Sequence, residues 1–340
     1  MLMNVRLAIR AASATFALTA CGATGLLAQT SSASGHAAAP FEVPAWAFPM
    51  SPPSTSPAAP LDTVTPLHLP HSRAAFTQKQ THDLFAVPDW YPKSHPAMTN
   101  VIEHGRRPAV YACGYCHLPD GIGRPENAMV AGLPEQYFIQ QVADIKSRAR
   151  KSASPVPYRP SESMRAVADS ASDAEVAEAA RYFAKLKPHQ RSRVIESDTA
   201  PRTVANVGLY ARAPGGGTEP LNGRIIELVD DIERHDIRDA HALYLAYVPR
   251  GSIRKGRALA AGDAKHGVKG CTSCHGAKLQ GIGSVPPIAG RSPSYVLRQL
   301  IGFRTGARAG AASGPMREVT ERLSLDDMIA AAAYAGSLKP

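Results

Sequence analysis

Apolar positions along this chain return at helical spacing in two separated blocks and lose that spacing before and between them. In residues 253–261, 293–303 and 324–338 they recur every three to four positions, which predicts three helices. Ser292 followed by Pro293 marks the start of the second. Asp326 and Asp327 occupy the first turn of the third, where the helix dipole favours carboxylates. Residues 172–186 repeat the pattern of that third helix. The Ala-rich faces around Tyr182 and Tyr334 predict close helix crossings with each tyrosine in a core. Between the blocks, residues 207–210, 224–229 and 243–248 read as short strands, separated by Gly215-Gly216-Gly217 and acidic turns. The triple glycine lacks the Lys-Ser/Thr of a phosphate loop.

The two helical blocks are one module written twice. An offset of 158 maps Cys113, Cys116 and His117 onto Cys271, Cys274 and His275. The same offset maps Ala131-Gly132 onto Ala289-Gly290, Tyr137 onto Tyr295, Gln141 onto Gln299, and Ala149-Arg150 onto Ala307-Arg308. After a six-residue gap, an offset of 152 maps Met164 onto Met316, Tyr182 onto Tyr334, and Leu186-Lys187-Pro188 onto Leu338-Lys339-Pro340. The predicted organisation is therefore an export signal over 1–28, a flexible tether over 29–84, a first helical domain over 85–190, a partly extended insert over 191–250 and a second helical domain over 251–340. Trp90 and Tyr91 lie in a lead-in expected to pack on the first domain. His68, His71, His82 and His95 have no partner spacing for a metal site and read as solvated loop residues.

Composition adds a compartment and a charge. Arg6 and Arg10 precede an apolar run that ends in Leu18-Thr19-Ala20-Cys21, the shape of an export leader and too short to span a membrane. Cys21 reads either as the lipid-modified first residue of the mature protein or as part of a leader cleaved after Leu26-Leu27-Ala28. The Ser/Ala/Pro/Thr-rich stretch that follows has neither helical nor strand period, so no buried core is expected in it. The formal net charge is +10. Its basic residues form no stripe interleaved with aromatics, which argues against nucleic acid. The excess is concentrated late: residues 251–340 hold 13 Lys/Arg against 5 Asp/Glu, whereas residues 91–190 hold 13 against 10. Acidic protein partners are the expectation.

Chemistry enters with Cys113-Gly114-Tyr115-Cys116-His117 and Cys271-Thr272-Ser273-Cys274-His275. Two thiols one helical turn apart can add across the vinyl groups of a haem, and the next histidine then lies under the ring to bind iron. A thioredoxin-like pair has no need of the histidine, and a zinc site would need two further ligands. Two covalent haem c groups are predicted, with His117 and His275 as proximal iron ligands. Met164 and Met316, at matching places on the loop before each terminal helix, are the candidates for the sixth position. Met129 and Met328 have no methionine counterpart and fit packing better. Residues 286–290 are placed to supply the carbonyl that orients His275. The first copy has Ala128 to Gly132 at the same stretch. Arg291, opposite Leu133, is either a partner for a haem carboxylate or an ordinary surface residue.

These residues resemble the class I c-type cytochromes and, in tandem, the two-haem cytochromes of the c4 type, over residues 97–188 and 251–340. The resemblance implies an all-α fold for each domain, periplasmic electron transfer and His/Met ligation at His117/Met164 and His275/Met316. The chain departs from the family pattern in its long N-terminal tether and in the insert. The leading functional expectation is a carrier of single electrons between a dehydrogenase or quinol-oxidising complex and a terminal oxidase or another cytochrome, with no catalytic residue. A second is a bound cytochrome subunit of a periplasmic alcohol, aldehyde or sugar dehydrogenase. A third, a two-haem enzyme of the peroxidase or thiosulfate dehydrogenase type, needs an open or unusual iron ligand, against which the paired methionines argue.

Overall fold

Side-chain caps decide where the module helices begin. In the computed structural model, which describes residues 41–52, 57, 59–263 and 268–340, Ser172 and Ser324 each close a reciprocal capping box, with Glu175 and Asp327 respectively. The terminal helices Asp173–Ala184 and Leu325–Ser337 follow. Ser292 accepts from the Tyr295 amide and opens Pro293–Arg304; the first-module counterpart is Glu135–Lys146. Each module thus packs a long middle helix and a terminal helix around one short motif helix, Cys113–His117 in the first and Thr272–His275 in the second. The expected helix over 253–261 is Ser252–Ala261, and it crosses the second terminal helix closely. Gly256 makes that crossing possible: a Cβ there would collide with the Ala330 carbonyl and lie 2.6 Å from Tyr334 Cβ. Tyr182 is buried in the first core, its hydroxyl donating to the Pro119 carbonyl at 2.8 Å.

The insert is a folded sheet. Five strands run in the spatial order Ser192–Glu196, Tyr244–Val248, Ile226–Val229, Tyr210–Arg212, Thr203–Ala205, with the first pair parallel and Ile226–Val229 antiparallel to Tyr244–Val248. Ile226–Val229 is buried at every position, and Tyr244–Val248 alternates as a half-buried strand should. The predicted strand over 207–210 is displaced, since only Tyr210 belongs to one. Buried Glu227 explains how the sheet is fixed to the second module. Its carboxylate accepts from Ser192 Oγ at 2.5 Å, Ser292 Oγ at 2.7 Å, and the Ser294 amide and hydroxyl at 2.9 and 2.6 Å. It sits at the N-terminus of Pro293–Arg304, where a negative charge is favoured.

Several expectations need correction. The tether assigned to 29–84 does contribute to a core from residue 41 onward: Ala47 and Phe48 are buried among Val296, Leu297 and Met328. Pro66–His68 pairs with Ala75–Thr77 as a hairpin. Sparse aromatics in a Pro-rich segment suffice when neighbouring elements supply the rest of the apolar surface. Residues 1–40, with the export signal and Cys21, lie outside the described residues. The lead-in packs on the insert as well as on the first module: Trp90 Nε1 donates to the Ile237 carbonyl at 2.8 Å, and the Tyr91 ring stacks on His241 at 3.7 Å. His95 is not a solvated loop residue; its side chain is 3% exposed and Nε2 lies 3.2 Å from Asp89. Among the described residues no helix is long and apolar enough to cross a membrane.

Replacing Gly256 by valine is expected to lower unfolding stability by about 1–3 kcal/mol, the usual range for overpacking a tight contact. Urea denaturation checks it, and an unchanged midpoint would refute the close-crossing account.

Candidate functional site

Each motif histidine is fixed by the same bond. His117 Nδ1 donates to the Ala128 carbonyl at 2.9 Å and His275 Nδ1 to the Pro286 carbonyl at 2.8 Å, eleven residues further on in both modules. The carbonyl expected for His275 is therefore in place, and Ala128 does the same work in the first copy without a proline. With Nδ1 donating, each Nε2 keeps a free lone pair for a metal. Burial holds both imidazoles below their ordinary pKa, partly opposed by the carbonyl bond, which favours the neutral ligand form. The thiols move the other way. Burial pushes Cys113 up to about 12, and it raises Cys116 and Cys271 as well. A thioredoxin-like pair needs a thiol whose pKa is lowered, so this environment speaks against that reading.

Both motifs open onto one cavity of about 1750 Å³, lined largely by apolar surface and reaching Met164 and Met316. A single small-molecule site occupies about 300–1000 Å³, so the space suits two large groups. Both methionines sit on helices rather than on the expected loops: Met164 on Arg159–Ser170 and Met316 on Gly314–Glu321, each with proline in its first turn. They are half-buried against their own module cores. Met328 is fully buried and lies off the cavity lining. Met129 does line it, but it directly follows the residue that holds His117, on the histidine side.

Arginines set the charge of this cavity. Arg291, expected as a carboxylate partner or a surface residue, is buried; Nε donates to the Pro287 carbonyl at 2.6 Å and Nη1 donates to the Met129 carbonyl. Arg150 and Arg308 face each other across the module boundary. Arg150 donates to Gln141 Oε1 at 3.0 Å, Tyr295 Oη at 3.1 Å and Gln299 Oε1 at 3.0 Å. Arg308 donates to Gln299 Oε1 at 3.3 Å, Tyr137 Oη at 3.3 Å and Gln141 Oε1 at 2.6 Å. Each arginine thus binds its own module's glutamine and the other module's glutamine and tyrosine, an isologous contact about a pseudo-twofold axis. Lys151 N to Ala307 O at 2.7 Å and Ala309 N to Ala149 O at 2.6 Å complete it through the backbone. Burial lowers the pKa of Arg308 and of Arg291, and Arg150 adds to both shifts. At Tyr295, burial alone would raise the phenol; Arg150, Arg308 and Arg291 outweigh it and lower it.

The residues fit haem c. The thiols stand at attachment spacing, each histidine offers a free nitrogen, and the walls are apolar. Among the described residues no carboxylate forms an ion pair with Arg150, Arg291 or Arg308, so the haem carboxylates would supply the anions this buried positive charge calls for. The role of Tyr137, Gln141, Arg150 and their counterparts escaped the sequence reading, although its signal was present: polar residues retained at one offset in both copies are not explained by core packing.

Changing Gln141 to leucine removes an acceptor shared by both guanidiniums and should cost about 1–3 kcal/mol. Thermal unfolding of the variant against Gln136→Leu, an exposed position on the same helix, provides the measurement; equal effects would refute a special role.

No family model matches the chain. It is 26% identical over 230 residues to cytochrome c4 of Azotobacter vinelandii, covering 66% of this chain and 84% of that protein. It is 26% identical over 220 residues to a thiosulfate dehydrogenase electron acceptor of Thiomonas intermedia, covering 64% and 74%. Over 79 residues it is 34% identical to cytochrome c-554(548) of Halomonas halodenitrificans, covering 23% of this chain and 93% of that protein.

Proposed function

We propose, because the chain belongs to the class I c-type cytochromes in their tandem two-haem, cytochrome c4-like arrangement, that it carries single electrons between a periplasmic dehydrogenase or quinol-oxidising complex and a terminal oxidase or another cytochrome. Haem c supplies the one-electron couple when bound. The chain's own residues would attach it, through Cys113 and Cys116 in the first module and Cys271 and Cys274 in the second, and His117 with Met164 and His275 with Met316 would be the iron ligands. The observation that carries the reading is the duplication of the site itself. Two imidazoles are tied at the same register by the same nitrogen, and each shares its cavity with a half-buried methionine at the matching repeat position. A histidine–sulfur pair leaves no coordination position for a substrate and raises the reduction potential, which is what a carrier requires.

A second reading, a cytochrome dedicated to one periplasmic dehydrogenase, is favoured by the likeness to a thiosulfate dehydrogenase electron acceptor. Stoichiometric co-purification with a dehydrogenase distinguishes it from a free shuttle.

The mature protein is expected to carry two covalent haems by mass and, when oxidised, to show two iron–thioether charge-transfer contributions. Met164→Ala and Met316→Ala should each abolish one of them and lower one of the two potentials in a redox titration. Retention of both contributions in either variant would remove that methionine from the ligand set.

A further inference from the structure

The two motif helices are copies, yet their surroundings are opposite. In the first module Tyr115 is 3% exposed and every residue from 118 to 123 is buried. At the offset of 158 the second module has Ser273 and Cys274 exposed, and in the stretch 276–281 Ala277, Lys278 and Gln280 are exposed. Ile282, opposite Arg124, is 57% exposed.

Two segments outside the repeat make the difference. From the lead-in, Leu84 and Val87 pack on Tyr115 and Cys116, and the Leu84 carbonyl takes the Ala112 amide at 2.9 Å. From the insert, Arg238 lies 4.3 Å over the Tyr115 ring and donates to its hydroxyl at 2.6 Å. Arg191 forms a buried ion pair with Asp120 and donates to the Gly123 carbonyl at 3.3 Å. His235 reaches Arg124 at 3.2 Å and Glu126 at 3.5 Å. Among the described residues nothing equivalent stands over Cys274. Its neighbourhood is basic: residues 251–290 contain six Lys/Arg and one Asp/Glu, with Arg254, Arg257, Lys269 and Lys278 exposed. An exposed apolar side chain, Ile282, four residues after exposed Lys278 in this basic stretch, has the composition of a transient docking patch.

Resting on the carrier reading above, we propose that the insert and the lead-in form a fixed cover over the first motif edge. Electrons then enter and leave through the second module alone, at a patch around Cys274, Lys278 and Ile282 that takes a redox protein with an acidic surface. The first haem is internal and exchanges with the second across the Arg150–Arg308 seam.

The test uses the full-length two-haem protein, fully reduced and mixed with excess hexacyanoferrate(III), which becomes hexacyanoferrate(II) as it takes one electron per iron. One oxidation phase should rise in proportion to reagent concentration and the other should level off at a constant rate. Lys278→Glu should slow the concentration-dependent phase by about threefold or more at low ionic strength, with the difference lost at high salt. Arg238→Ala, which thins the cover, should restore concentration dependence to the levelled phase. Two phases that both scale with hexacyanoferrate(III), or a proportional phase indifferent to Lys278→Glu, would overturn the proposal. Failure of the carrier reading itself would be seen before mixing, as missing covalent haem or missing thioether bands.

Discussion

The module boundary rests on two guanidiniums that bury each other's charge. Arg150 and Arg308 are like charges in a poorly solvated seam, an arrangement that costs free energy unless donors are fully used and anions lie near. Gln141, Gln299, Tyr137 and Tyr295 use the donors, in a pattern each copy supplies to the other. They are neutral, so they satisfy hydrogen bonds without cancelling charge. Haem carboxylates would supply the cancelling charge when bound, since these arginines line the same cavity that both motifs open onto. Together with the backbone bonds Lys151 N to Ala307 O and Ala309 N to Ala149 O, this contact sets how the two modules face each other.

The insert makes that orientation rigid from the other side. Glu227, buried in the sheet, accepts four hydrogen bonds that join the sheet strand Ser192–Glu196 to the start of Pro293–Arg304. On the same helix, Arg298 donates to the Ala47 carbonyl at 3.2 Å and to the Pro125 carbonyl. One helix of the second module therefore holds the N-terminal segment, the first module and the insert together. A buried carboxylate and a buried guanidinium of this kind are costly to strand, since removing either leaves several polar partners unmet. A sheet between two helical modules is in this sense a brace.

Much of this was legible in the sequence because it is local. The attachment spacing, the serine caps at Ser172, Ser292 and Ser324, and the carbonyl for His275 each need fewer than a dozen residues of context. Helix starts around Met164 were legible too: Arg159-Pro160 and Gly314-Pro315 place proline in a first turn, where it is favoured, yet both methionines were assigned to loops. What was not legible is non-local. Phe48 looks like a stray aromatic until it meets Tyr158, 5.4 Å away and edge-on. Glu227 looks like a solvated strand position until three serines from two regions converge on it.

The divergence of the two copies is marked on the motif edge and absent at the hydrogen-bonding side chains shared by Arg150 and Arg308. Three pairs that meet at the seam keep their identity, Tyr137 and Tyr295, Gln141 and Gln299, Arg150 and Arg308, whereas Arg291, which also crosses it, stands opposite Leu133. Positions on the motif edge do not. Leu118, Pro119, Asp120 and Ile122 become Gly276, Ala277, Lys278 and Gln280. The first set is what burial requires, with apolar side chains and one carboxylate matched by Arg191; the second, apart from buried Leu279 opposite Gly121, is what water tolerates. Arg124 reverses the trend only in appearance, since it is charged and nearly buried but paired with Glu126 at 3.0 Å. The seam is held while the edges part, each toward the solvent exposure it experiences, as a cover over the first motif edge and an open second edge would require.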